Sequence, residues 1–471
     1  MTARGALEQS RELALFAAAT GATLVVGFAT VRTPYLFAGA MLGLVLLAAV
    51  VVRPLMVIAL LMLLGPVNLS FITGGLKGLF ESMGGLDMSG IRLIGVSAGL
   101  GAMALVVPRM RAVLFGRWSI CYVLFMLWGV LALARSPNVV DGLRLWLKIG
   151  YPLLIFVTVV ALVERREQLD RLIDWALIGA AITIFVINPL HALAGGGGMH
   201  QSIGLARLGG LGIHENPLSF FLLVMFYISL TRLILRGQLR YLLLCAGASV
   251  WLVLTLTRIT FLAAIVGLAG MALFGAVNLR NWRVLAAAAA AAAALAVPLA
   301  PLVLERSLGF VATPAELLDL ARNPIVLYES INWQGRELAW PIIYAAFTGA
   351  PWAGLGLGSS ILIMEEYFPA TVGPLVHNEY LRLAVETGII GVLLFASAIM
   401  VWFMVVVSAA RRAGDSAREY ALPAFAALLS WGIIAITDNA FDYYAPFTQF
   451  AALLAAACGA VLMMAQREQT S

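Results

Sequence analysis

The chain has 471 residues, of which 62% are hydrophobic and only 11% charged, and its formal net charge is +6. A soluble domain carries roughly 25% charged and 45–50% apolar residues, so this composition excludes an ordinary water-soluble globule and reads as a polytopic membrane protein. There is no basic stripe with interleaved aromatics of the kind nucleic-acid binding needs, and Cys121, Cys245 and Cys458, scattered through apolar runs, support neither a disulfide framework nor a metal cluster.

Residues 1–11 carry charges of both signs and read as a cytoplasmic tail rather than a removed signal peptide. Apolar spans then follow near 12–30, 35–52, 54–70, 91–107, 118–134, 149–163, 172–190, 217–231, 241–256, 259–276, 284–304, 388–408, 421–437 and 446–464. Several are shorter than the ~20 residues a spanning helix needs. The expectation is an all-α integral membrane protein with 12–14 transmembrane helices and one large outer loop that itself contains helices. Three regions follow: a helix bundle over 1–304, a loop region over 305–387 and C-terminal helices over 388–471.

The short loops divide into two alternating sets. One holds Arg53, then Arg109, Arg111 and Arg117, then Arg165, Arg166 and Arg171, then Arg232, Arg236 and Arg240, then Arg280 and Arg283, then Arg411, Arg412 and Arg418. By the positive-inside rule these loops are cytoplasmic, which puts both termini inside. The other set comprises 71–90, 135–148, 191–216, 257–258, 305–387 and 438–445, and it holds all four histidines and both lysines. Arg207, Arg258, Arg306, Arg322 and Arg336 also fall there, where the rule disfavours them, which suggests an anionic ligand on the outer face. Lysine occurs only at Lys77 and Lys148, so arginine supplies the other 28 of 30 basic residues. A biased genome composition explains most of that excess.

Several outer positions carry chemistry. Arg207 precedes a glycine-rich run that ends at His214-Glu215-Asn216-Pro217, where Asn216 and Pro217 have the form of a helix start. A flexible loop fits the same residues, and Glu215 is placed to hold the arginine or an acceptor. Arg258 sits where two apolar spans meet almost without a loop, as a snorkelling arginine or an anion ligand. Arg336 follows Gly335 and precedes Glu337, which suits either a local ion pair or a backbone-plus-guanidinium anion grip. The glycines of 351–358 follow no strand, so they read as a hinge or close-approach loop and not as a dinucleotide fingerprint. Glu365-Glu366 and Asp438 with Asp442 are candidate metal carboxylates that lack a third ligand nearby in sequence.

The densest polar stretch is 373–388. Gly373 and Pro374 break the preceding structure, and Asn378 is placed to cap a helix. Glu379, Arg382 and Glu386 fall on one face of that helix, which Gly388 then relaxes before a long apolar run. His377 opens it. The positive end of a helix dipole disfavours an imidazolium, so a histidine in that place suits proton acceptance as well as simple capping.

Residues 377–391 resemble the signature of the bacterial O-antigen ligase and O-antigen polymerase superfamily, in which a histidine–asparagine pair opens a helix in a large periplasmic loop. Residues 335–340, followed by 351–358, are similar to what precedes that pair. The resemblance implies a membrane glycosyltransferase in the bacterial inner membrane. It would move a glycan from undecaprenyl pyrophosphate to lipid A–core oligosaccharide on the periplasmic side, with inversion. It makes His377 the general base and puts the pyrophosphate on Arg207, Arg258 and Arg336, with Asn378, Arg382 and Glu215 as further substrate contacts. No metal or other cofactor is expected, because arginine supplies the positive charge. A polymerase or a protein O-oligosaccharyltransferase shares the loop. A lipid-glycan flippase is the alternative from another class, but it should show broken helices with charges near the midplane, and here the titratable groups crowd one face.

Overall fold

A computed structural model describes residues 44–65, 88–193, 215–276, 335–368, 376–412, 415–443 and 450–459, with a few isolated positions between them. The predicted span 12–30, nearly all of 284–304, and Arg207, His200 and His214 lie outside the described residues. Within them the protein is helical, with no strand. Among the described residues, five helices are long and apolar enough to cross a membrane, or up to seven if each of two sharply bent pairs is one span. The chain is a multi-pass membrane protein.

The first bent pair is α1 (Leu44–Val52) with α2 (Pro54–Leu64), and the second joins α3 (Met88–Val106) to α4 (Pro108–Leu114). Each bend falls at the residue before a proline, Arg53 or Val107, where the pyrrolidine ring disfavours helical backbone. Then come α5 (Ile120–Leu133), α6 (Val139–Leu162) and α7 (Arg166–Ile182), which runs through a π turn at Thr183–Ile187 into α8 (Asn188–Leu193). Next are α9 (Glu215–Arg236), α10 (Leu239–Thr255) and α11 (Arg258–Ala276). The predicted outer loop supplies α12 (Arg336–Gly349) and α13 (Ser359–Tyr367), and α14 (Glu379–Arg412), α15 (Asp415–Thr437) and α16 (Phe450–Gly459) follow. α9 is buried almost all round and packs on α10 and α15, while α14 packs on α5 and α15.

α6 begins well before the predicted apolar span at 149. The Asn138 side chain accepts from the backbone N–H groups of Val140 and Asp141, and Asp141 in the first turn suits the positive end of the helix dipole. Those first turns are polar on one face, through Asp141, Arg144 and Lys148, so a hydropathy reading passes over them. Arg144 and Lys148 therefore stand on a helix and not in a loop.

α14 runs across the predicted boundary at 387/388, but it is broken there: Gly388 has φ 68° and ψ −176°. The glycine loop 351–358 repairs the break. In an intact helix, the N–H groups of Ile389 and Ile390 would bond to the carbonyls of Val385 and Glu386. Here Ile389 donates to Pro351 at 2.8 Å and Ile390 to Trp352 at 3.3 Å. The freed carbonyls accept from Leu355 at 2.8 Å and Gly356 at 3.0 Å. A Cβ on Gly354 would stand 2.5 Å from the Glu386 carbonyl carbon, and one on Gly388 would stand 2.3 Å from that of Trp352. Two backbones meet at a distance only glycine permits, which makes 351–358 a close-approach loop.

Hydrogen bonds and ion pairs sort the polar groups into two ends. Lys148, Asn216, Thr257, Arg336, His377, Asp438 and Asp442, all from predicted outer segments, are joined to one another or, for Arg336, to Thr437 at the end of the adjoining span. Arg166, Asp170, Asp174, Arg232, Arg236, Glu419 and Tyr420 form the other group.

Candidate functional site

The site is built where α15 ends. Thr437 closes that helix, Asp438 and Asn439 follow, and a 3-10 turn covers Ala440–Asp442. Asp438 is buried, and most of the site's polar groups are arranged around it. The Asp438 side chain accepts the Asn439 backbone N–H at 2.9 Å and stands 3.3 Å from His377 Nδ1 on the same oxygen, Oδ1. Its other oxygen accepts from the Asn216 amide nitrogen. Burial alone would raise this carboxyl, but hydrogen bonds from His377, Tyr443 and Asn439 hold it below its ordinary value. An ionised carboxylate only accepts, so its contact with His377 is a hydrogen bond when Nδ1 carries the proton. That leaves Nε2 as the basic nitrogen.

His377 is held twice. Its backbone N–H donates to Asn439 Oδ1 at 3.2 Å, and its φ is +52°, a left-handed conformation uncommon for histidine. Asn378 caps α14 as the sequence predicts, accepting the Leu381 N–H at 2.9 Å.

Arg336 comes from the start of α12, after Gly335 at φ 83°, and its Nη2 donates to the Thr437 carbonyl at 3.1 Å. Burial pushes the guanidinium down from its ordinary value, while Asp438, Tyr443 and Glu337 pull it back up. Arg336 and His377, 41 positions apart in sequence, thus converge on the residues 437–439.

Arg258 opens α11 after a link of two residues, Leu256 and Thr257, with Leu256 in the left-handed region at φ 48°. Thr257 Oγ1 donates to Asn216 Oδ1 at 3.4 Å, and Asn216 reaches Asp438 through its nitrogen. Asn216 therefore ties the Arg258 turn to Asp438. The helix is described from Glu215, two residues before the Pro217 that the sequence suggests as its first position, and the Asn216 side chain makes this bridge. Glu215 is buried at the same helix end.

Arg382 is placed differently. It is buried, its Nε donates to Glu379 at 2.8 Å, and its Nη1 lies 3.3 Å from Asp442. Lys148 Nζ lies 2.6 Å from the other oxygen of Asp442. Burial would raise the Asp442 carboxyl, but Lys148 and Arg382 hold it below its ordinary value. Glu379 also accepts the Phe441 N–H at 3.2 Å. The predicted face of Glu379, Arg382 and Glu386 thus exists, and Glu379 and Arg382 clamp the 440–442 turn onto α14. Asp438 and Asp442 hold separate partners, and among the described residues no three His, Cys, Asp or Glu side chains converge as metal ligands would.

Residues 241–396 match a family model described as O-antigen ligase. Over that segment the chain is similar to the O-antigen ligase superfamily. No curated protein matches it. The matched segment covers a third of the chain and includes Arg258, Arg336, His377, Asn378 and Arg382. A superfamily of this kind works on lipid-linked polysaccharide. Asn216, Asp438 and Asn439 lie outside the match, and sequence reasoning gave none of them a place in the site. The signal for Asp438 and Asn439 was present: two adjacent polar residues close a long apolar helix, at a predicted outer loop.

Proposed function

We propose that the protein is an O-antigen ligase, a metal-independent inverting glycosyltransferase. It would move the glycan of an undecaprenyl-pyrophosphate-linked O-antigen onto lipid A–core oligosaccharide at the periplasmic face of the inner membrane, with both termini cytoplasmic. The observation that carries this reading is the convergence of Arg336 and His377 on residues 437–439 at the end of α15. Transfer from a lipid pyrophosphate needs a base for the attacking hydroxyl and positive charge for the departing phosphates, and here the two stand at one helix end.

In the proposed step, His377 Nε2 takes the proton of the acceptor hydroxyl while Asp438 stabilises the imidazolium that forms. The acceptor oxygen bonds to the anomeric carbon from the face opposite the pyrophosphate. The bond from that carbon to the phosphate oxygen breaks, and the electron pair leaves with undecaprenyl pyrophosphate. Arg336 and Arg258 offset the charge that develops there, the role a divalent ion plays elsewhere. Arg207 is proposed to join them. Asn378 and Arg382 act through structure: one caps the helix that His377 precedes, and the other fixes the 440–442 turn that follows Asp438. The arginine-rich loops of the opposite end support the assignment of that end to the cytoplasm.

Lipopolysaccharide from a deletion strain tests the reaction. A ligase predicts an intact core lacking all O-antigen while the lipid-linked polymer still accumulates. A core carrying a single repeat would overturn the ligase reading in favour of a polymerase.

A further inference from the structure

The outer segment around α12 and α13 is composed for a place other than water. Residues 338–364 contain no Asp, Glu, Lys, Arg or His. One face of α12, with Ala339 and Ile343, packs on Val376, Val385 and Leu381. The rest leaves large apolar and aromatic groups uncovered: Leu338 is 61% exposed, Tyr344 58%, Trp352 69% and Tyr367 57%. Neither helix is long enough to cross a bilayer, at 14 and 9 residues. A surface this apolar standing in the aqueous periplasm would be an association liability.

Its position says what covers it. Below the Gly388 break, α14 exposes Ile389, Ile390, Leu393, Met400 and Met404, an apolar row on a membrane-spanning helix. Trp352 meets the top of that row, because its carbonyl accepts the Ile390 N–H and the neighbouring Pro351 carbonyl accepts that of Ile389. The uncovered surface of the α12–α13 segment is therefore continuous with a lipid-facing surface. Tryptophan and tyrosine, with an apolar body and a polar tip, are the residues that settle at the boundary between head groups and acyl chains.

We propose that the α12–α13 segment is a membrane-interface anchor, seated in the outer-leaflet lipid beside α14 through Trp352, Tyr344, Leu338 and Tyr367. Arg336 and His377, at the borders of this segment, then lie at head-group depth. A phosphate carried on a lipid resides at that depth, so the anchor fixes the height of the site above the bilayer. The inference rests on the multi-pass membrane fold and holds whichever lipid-linked glycan is transferred.

Nitroxide labels on Trp352→Cys, Tyr344→Cys and Leu338→Cys in the full chain, reconstituted into liposomes, test this. Power saturation compares access of oxygen, which concentrates in lipid, with access of a water-soluble nickel chelate. Leu393→Cys serves as the lipid reference. Arg322→Cys, at a side chain 70% exposed in a charged stretch, serves as the aqueous one. The oxygen-to-nickel ratio at 352, 344 and 338 should exceed that at 322 severalfold and fall below that at 393. A ratio equal to that at 322 would put the segment in water and overturn the proposal. Low access of both reagents would mean that protein covers it, a second copy or a partner, and would overturn it equally. Failure of the 393 reference alone would instead sink the membrane assignment of α14, and the anchor with it. Glycan transfer enters none of these readouts.

Discussion

The two polar ends of the bundle use the same residue types to opposite effect. At the end assigned to the cytoplasm, Arg166, Arg232 and Arg236 face Asp170, Asp174 and Glu419, three cations against three anions. Arg232 is only 1% exposed; its Nε lies 2.8 Å from Glu419 and its Nη2 lies 3.2 Å from Asp170, while Nη1 pairs with Asp174. Charge is balanced within the protein, and the cluster ties α7, α9 and α15 together. At the other end, the Arg336 guanidinium hydrogen-bonds a backbone carbonyl, and the nearby Asp438 carboxylate is spent on His377, Asn216 and Asn439. An arginine with its own carboxylates is a fastener. At the other end the carboxylate beside the arginine holds a histidine, the pair on which the proposed transfer rests.

Substitutions should expose that difference. The largest effect on turnover is expected from His377→Ala, which should lower kcat by ~10²–10⁴ with donor binding nearly intact. Loss of donor binding with normal turnover of bound donor would reverse its assigned role. Arg232→Ala should do the opposite: removing one partner from a buried ion cluster costs about 3–5 kcal/mol. Thermal unfolding in detergent should show that loss, while the folded fraction keeps its specific activity. If Arg232→Ala unfolded no more easily than the parent, the fastener reading would be wrong.

Arg336→Ala should weaken donor binding as well as slow transfer, and Arg336→Lys should recover only part of both, because lysine keeps the charge but loses the planar fork. Wild-type behaviour of the lysine variant would remove the bidentate grip from the mechanism.

A smaller effect concerns acid. Asp438 and Asp442 are both held below the ordinary carboxylate value. Their stabilisation is therefore fully present above the unfolded pKa of about 4 and is lost as pH falls through the folded values. Unfolding temperature should stay flat for this reason from neutrality to about pH 5 and decline below about pH 4. In Asp438→Asn that acid-side decline should be shallower. A decline as steep as the parent's would mean that Asp438 carries no such linkage. The smallest expected effect is none: excess EDTA should leave the transfer rate unchanged, and a loss restored by magnesium or manganese would make the arginine-only account of the leaving group untenable.

The sequence by itself determined the helical membrane class, the alternation of two loop sets, the cap at Asn378, the break at Gly388, and the candidate histidine and arginines. These are local properties. Hydropathy, positive charge in short loops, a capping side chain and a glycine at a helix end each act within a few residues of themselves. The start of α6 was hidden because its first turns are polar on one face, and an apolar-span reading sees only what comes after. What the tertiary structure decided is which charges meet. Asp438 looked like half of a carboxylate pair with Asp442 because both lie on one short segment. Folding turns one toward His377 and Asn216 and the other toward Lys148 and Arg382. Arg336 and Arg382 were both expected to contact substrate, yet one reaches the end of α15 at Thr437 and the other is sealed against Glu379. Coulomb attraction and hydrogen bonding fall off over a few ångströms, so the role of a charged side chain is set by neighbours that the chain brings from far away in sequence.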